Sequence, residues 1–111
     1  MIEIVLKNYL EEILKVSVTM EIPAESKKSF IVIQKTGSRL KNHIKRSSFA
    51  IQSYGKSLYE AAKLNEDVKL AMENFISKKE VSKVELDTDY YFPSVETKQY
   101  RYQAVFDIIH Y

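Results

Sequence analysis

The sequence predicts an α+β fold: a single two-layer domain over residues 1–111, with a mostly antiparallel sheet, two helices on one face, and the order α-β-β-β-α-β-β. Three observations lead there. Two stretches place apolar residues at three- and four-residue spacing, and five shorter ones alternate or are apolar throughout. A chain of 111 residues is the size of one ordinary domain and too short for two cores. Runs of strands with a helix at each break imply antiparallel pairing with the helices gathered on one side.

Ile2, Val5, Leu6, Tyr9 and Ile13 repeat with helical period, while Lys7, Glu11 and Lys15 lie opposite, predicting a first helix over roughly 2–15. Val16, Val18 and Met20 alternate with Ser17 and Thr19 as a short strand, which Pro23 stops because its ring removes a ladder donor. Residues Ser29 to Lys35 (SFIVIQK) are apolar on both faces, as in a strand covered on both sides. Thr36-Gly37-Ser38 then predicts a turn into a basic loop. A third strand over Ile44–Tyr54 carries Phe49 and Ile51 on one face, with Ser48, Ala50 and Gln52 on the other.

Ser57-Leu58-Tyr59-Glu60 has the S-x-x-E form of a capping box, in which the hydroxyl accepts from the N3 amide and the Glu reaches back. Ala61, Leu64, Val68, Ala71, Met72 and Phe75 continue that helix as a core stripe to about Ser77. Val81, Val84 and Leu86 predict a fourth strand with Glu85, Asp87 and Asp89 on its other side, ending in an aromatic loop, Tyr90-Tyr91-Phe92-Pro93. The last strand runs from Tyr100 to Tyr111, with Tyr102, Ala104, Phe106 and Ile108 on one face.

Nothing in this pattern suggests catalysis, so no enzyme activity and no cofactor are expected. The chain has no cysteine, which excludes disulfides and thiolate chemistry and fits a reducing compartment. His43 and His110 are the only histidines, and the convergent spacing of several ligands that a zinc site needs is not seen around either. Phosphate-cradling glycine loops and a nucleophile elbow are both missing. Glu66 and Asp67 fall on the polar side of the second helix. The longest apolar runs fall far short of the roughly 18 residues of a membrane span, and Met1-Ile2-Glu3-Ile4 lacks the basic start of a signal peptide.

Charge and tyrosine point to surfaces. Residues 1–56 hold ten cationic and five acidic side chains, a surplus of +5; residues 57–111 hold seven and ten, a deficit of −3. Such asymmetry means two complementary faces, a basic arm, or scatter in a small sample. Lys35, Arg39, Lys41, Lys45 and Arg46 form the one basic cluster, fit either for phosphate contact or for a solvated hairpin loop. Five of the eight tyrosines (Tyr90, Tyr91, Tyr100, Tyr102 and Tyr111) follow residue 89, a residue type favoured where a ring is buried and its hydroxyl stays wet. With Ile4 and Leu70 opposite their helices' apolar stripes, they favour packing against copies or a partner.

Ile22-Pro23-Ala24-Glu25, the strand Phe30-Ile31-Val32-Ile33 and Thr36-Gly37 together resemble the small tail terminator (tail-completion, minor tail) proteins of long-tailed phages, where a P-x-E-R-P turn leads into an apolar strand and a glycine turn. Phe49 to Gly55 is similar to the strand that delivers the chain to that family's main helix, and Ser57 to Leu64 to the helix itself. Gln99-Tyr100-Arg101-Tyr102 resembles the R-Y opening of its last strand. Lys27, Lys28 and Ser29 stand where the family often has Arg-Pro, and Gly37 is single where the family has a glycine pair.

The resemblance covers most of the chain. It implies a structural virion protein of a phage or prophage, assembled in the host bacterial cytoplasm. Such proteins form homo-oligomeric rings, commonly hexamers, that terminate the tail tube and join tail to head. The partners implied are further copies of itself, the tail tube protein and a head-completion or connector protein. DNA passes through the lumen without sequence readout, and no membrane is involved. A closed ring uses a heterologous interface. Basic Arg39, Lys41, Lys45 and Arg46 against acidic Glu85, Asp87 and Asp89 would supply one, with Tyr90 and Tyr91 beside the acids. Contacts are expected in segments 36–43 and 87–99 and on sheet edges. The alternatives are another head–tail connector component, such as a head-closure or minor tail protein, and a small nucleic-acid-binding protein using residues 35–46.

Overall fold

A computed structural model describes residues 1–22, 29–93 and 99–111. Its elements are α1 (Ile2–Leu14), β1 (Ser17–Thr19), β2 (Phe30–Lys41), β3 (Ile44–Gly55), α2 (Leu58–Glu73), a 3₁₀ turn (Phe75–Ser77), β4 (Val81–Tyr91) and β5 (Tyr100–His110). The order is the one the periodicity predicts. The five strands form one sheet, β1-β2-β3-β5-β4, in which β1 runs parallel to β2 and every other pair is antiparallel.

Both helices lie on one face. Leu6, Tyr9 and Leu10 of α1 and Leu64, Val68 and Met72 of α2 share a core with Ile31, Ile33, Phe49, Ile51, Phe106 and Ile108. The Tyr9 hydroxyl donates to the carbonyl of Ala71 across 2.5 Å, tying the helices together. Helix α1 ends because Lys15 adopts a left-handed conformation (φ 58°), its N–H returning to the Glu11 carbonyl. At the start of α2 the Glu60 N–H donates to Ser57 Oγ (3.1 Å), and the Glu60 carboxylate accepts from the Lys56 N–H (3.1 Å). The cap predicted from S-x-x-E is therefore present, shifted by one residue in its return bond.

Three expectations are corrected. Thr36-Gly37-Ser38 is not a turn: β2 continues to Lys41, with a register shift between Lys35 and Gly37 that absorbs the glycine as a bulge. The reversal comes at Asn42-His43, whose positive φ values (52° and 65°) give a two-residue hairpin loop of the primed type, which suits the strand twist. Segment 36–43 is thus mostly strand. Tyr90 and Tyr91 lie in β4 and not in a loop.

Asp89 does not share a face with Glu85. Register shifts at Val81/Lys83 and Leu86/Thr88 each insert one residue, and each insertion reverses the alternation of side chains. The first explains why the inward-facing Val81 and Val84 are three residues apart. The second turns Asp89 toward α2. The phage-like turn at Pro23–Lys28 and the 94–98 part of the 87–99 segment lie outside the described residues.

Candidate interaction surface

The sheet face opposite the helices is organised in rows that cross the strands, and the register defines each row. Nearest the hairpin turn, Arg39, Arg46, Ile109 and Lys83 stand side by side across β2, β3, β5 and β4. The next row holds Gly37, Ser48, Asp107 and Glu85, and the one after it Gln34, Ala50, Val105 and Thr88. Successive rows are about 7 Å apart, two residues along a strand. The surface therefore passes from a cationic band to an anionic band and then to a neutral one.

Beyond these the face closes up. Val32, Gln52, Gln103 and Tyr90 form a polar row, in which Gln52 Nε2 donates to Gln103 Oε1 (2.8 Å) and Gln103 Nε2 to the Tyr90 hydroxyl (2.6 Å). The last row stacks Phe30 on Tyr54 at 4.5 Å. Arg101 follows, its guanidinium 4.1 Å from the Phe92 ring centre and donating to the Tyr54 hydroxyl (2.9 Å). Phe30, Val32 and Tyr54 are buried there, so the outer face carries a second small core at this end. This accounts for a strand apolar on both faces.

The sheet divides the predicted basic cluster. Arg39, Lys41 and Arg46 line a shallow depression on the open face with Ile44 and Ile109, while Lys35 and Lys45 line another with Ser47 and His110, which Arg39 also borders. Lys35 approaches Glu3 at 3.9 Å. Among the described residues Arg39, Lys41, Lys45 and Arg46 have no acidic partner within 4 Å.

On the far edge, β4 carries the acids. Glu85 pairs with Lys83 (2.6 Å) and stands opposite Asp107, which accepts from Ser48 Oγ (2.5 Å). Asp87 is exposed at the bulge. Asp89 instead accepts from Asn65 Nδ2 (3.0 Å) and pairs with Lys69 (3.0 Å), so it fastens β4 to α2 and leaves the anionic band. Lys69 also pairs with Glu66 (2.7 Å), and its hydrogen bonds to Glu66 and then Asp89 raise its pKa, keeping it charged. Tyr90 faces outward with the polar row, whereas Tyr91 packs on Tyr102 toward the helix side at 5.3 Å. Of the nine predicted interface residues, the structure places Arg39, Lys41 and Arg46 together and Glu85 beside Asp87 on the opposite edge.

Two features escaped the sequence reasoning. Ser47 and His110, 63 positions apart, meet in the buried interior: His110 Nδ1–H points at the Tyr111 carbonyl (3.3 Å), leaving Nε2 to accept from the Ser47 hydroxyl at 2.8 Å. Burial, with Lys45 and Lys35 nearby, outweighs the Tyr111 carbonyl and Glu3 and lowers the His110 pKa. Only the β3–β5 register brings this pair together, so spacing along the chain carried no sign of it. The second feature is a groove between α2 and β4, bordered by Leu70, Ile76 and Leu86. His43 is exposed in the hairpin turn.

Among the described residues no three histidine, aspartate or glutamate side chains gather as a metal site, and no helix is long and apolar enough to cross a membrane. The chain matches no protein-family model, and no curated protein matches it as a relative.

Proposed function

We propose that this protein is a ring-forming structural subunit of a phage or prophage tail, which closes the tail tube and joins it to the head, and that it is not an enzyme. The observation that carries this reading is the placement of charge. The cations Arg39, Lys41 and Arg46, without an acidic partner among the described residues, lie on the β2–β3 hairpin, and Glu85 and Asp87 lie on β4 at the far edge of the same sheet. Two unlike patches on opposite edges suit head-to-tail association, which closes into a ring when the rotation allows.

The free edges agree with it. β1 covers β2 only at Phe30–Val32, so β2 from Ile33 to Lys41 and the whole outer side of β4 are unpaired within the described sheet. The resemblance in the strand–helix segment 49–64 and at the start of β5 supplies the tail context.

Sedimentation velocity and negative-stain imaging of the purified protein at several concentrations, with and without tail tubes, test the proposal. Rings of one size are expected, and Glu85→Lys with Asp87→Lys should weaken them. Charge of this kind chiefly sets register and association rate, so the loss should be greatest at low salt. Monomers at all concentrations, with no binding to tube ends, would reject it.

A second reading, nucleic-acid binding, rests on the same Arg39–Lys41–Arg46 patch. It requires a monomer whose DNA affinity falls steeply with salt and with Arg39→Thr and Arg46→Thr.

A further inference from the structure

The β2–β3 hairpin ends in an unusual way for a solvent-facing tip. Leu40 is 68% exposed and Ile44 53%, on either side of the two-residue turn Asn42-His43. Tips of this kind are ordinarily polar. Here two bare apolar side chains are flanked by Arg39, Lys41, Lys45 and Arg46, none with an acidic partner among the described residues. The primed turn holds this tip in one narrow shape.

The opposite edge of the molecule carries a matching concavity. Between α2 and β4 a groove is walled by Leu70 (61% exposed), Ile76 (51%) and Leu86 (46%) and floored by Val84, Met72 and Phe106. Its rim is α2, which contributes Glu66, Lys69 and Glu73. Lys69 is neutralised by Glu66 and Asp89, so the local balance is anionic. Leu70 points away from the stripe that builds the core, and the register of β4 sets Leu86 beside Phe106, on the same face as Val84, at the same opening.

We infer that the groove between α2 and β4 receives the hairpin tip of a second copy of this chain, with Leu40 and Ile44 seated against Leu70, Ile76 and Leu86 and the tip's cations facing the rim acids. The inference rests on the ring reading and names its contact. Tip and groove lie at opposite edges of one sheet, in the order β1-β2-β3-β5-β4, so neither can satisfy the other within one copy. Apolar tip meets apolar groove, and cation meets anion. That charge match selects a copy of the chain as the occupant. Such a contact is heterologous, and each copy keeps one tip and one groove for its neighbours.

Mixing two disabled copies tests it. Leu40→Asp spoils the tip and Leu70→Asp spoils the groove, both at exposed positions where folding tolerates a polar side chain; circular dichroism melts check that it does. Each variant alone should need at least tenfold more protein than wild type to assemble. Their equimolar mixture should form a one-to-one dimer and stop there, because only one intact tip meets one intact groove. Tyr59→Asp, on an exposed part of α2 away from the groove, should assemble as wild type does.

If either Asp variant folds poorly, Lys41→Glu with Lys45→Glu should weaken assembly, and adding Glu66→Lys with Glu73→Lys should restore part of it. Rings formed by Leu40→Asp or Leu70→Asp at wild-type concentrations would overturn the tip-in-groove contact and leave the ring reading standing. A groove variant that forms rings but no longer binds tail tubes would place a tube subunit in the groove, and also overturn it. A wild type that is monomeric at every concentration and does not bind tube ends would overturn both.

Discussion

Arg39 and Arg46 stand directly opposite each other across β2 and β3, two cations in one cross-strand pair with no acid beside them among the described residues. A like-charge pair at this spacing destabilises a sheet by a few tenths to about 1 kcal/mol. A pair so placed costs the isolated subunit stability and becomes favourable only when something anionic faces it. Arg39→Thr should therefore raise stability by about 0.2–1 kcal/mol in chemical denaturation of the monomer. The same substitution should weaken ring formation. The stability gain should shrink in high salt, where the repulsion it removes is screened.

Gly55 closes β3 just before α2, where the strand passes very close to the first turn of the helix. A Cβ at this position would sit 2.5 Å from the backbone nitrogen of Ala61 and 3.0 Å from its Cα, and backbone cannot yield as a side-chain end can. Gly55→Ala should destabilise by about 1–3 kcal/mol, as other overpacked sites do, measured by urea unfolding. Gly37 gives the contrast. Nothing lies within 4 Å of a Cβ there, so Gly37→Ala should stay within about 0.5 kcal/mol of wild type.

His110 predicts an acid-side loss of stability. Burial lowers its folded-state pKa below the ordinary value of 6.5, so the folded protein favours the neutral ring. Above pH 6.5 the ring is neutral in both states and the Ser47–His110 bond contributes in full. As pH falls below 6.5 the unfolded chain takes up a proton first, and stability declines until the folded ring protonates as well. Thermal melts between pH 7.5 and 5 should show this decline, and His110→Gln should flatten it. A His110→Gln slope equal to that of wild type would assign the decline to other groups.

Much of the molecule was legible from local pattern. The helical period through Ile2, Leu6 and Tyr9 and at Ala61–Phe75, and the alternation through Ala104–Ile108, report which face of an element is buried, and burial imposes that pattern directly. The same period puts Ile13 on the stripe, yet it is exposed, whereas Leu10, outside the predicted set, is fully buried, because the packed face of α1 turns toward Leu10 near its end. Two misreadings came from bulges. Gly37 looked like a turn because a glycine after a strand usually is one, and Asp89 looked like part of an outward acidic face because strict alternation was assumed through Asp87. The interface set was legible as charge and not as geometry: sequence grouped five cations at 35–46, whereas alternation separates Lys45 from Arg46 and the bulge at Thr36 separates Lys35 from Arg39.

By itself, the sequence determined the elements, their order, the two-layer arrangement and the imbalance of charge between its halves. These depend on neighbours three or four residues apart in a helix and two apart in a strand. Tertiary structure alone decided which charges share a face, that Ser47 meets His110, and that Leu70, Ile76 and Leu86 border one groove. Each of those depends on the register between strands distant in sequence, and a single inserted residue at Asp87 is enough to turn the side chains that follow it to the other face.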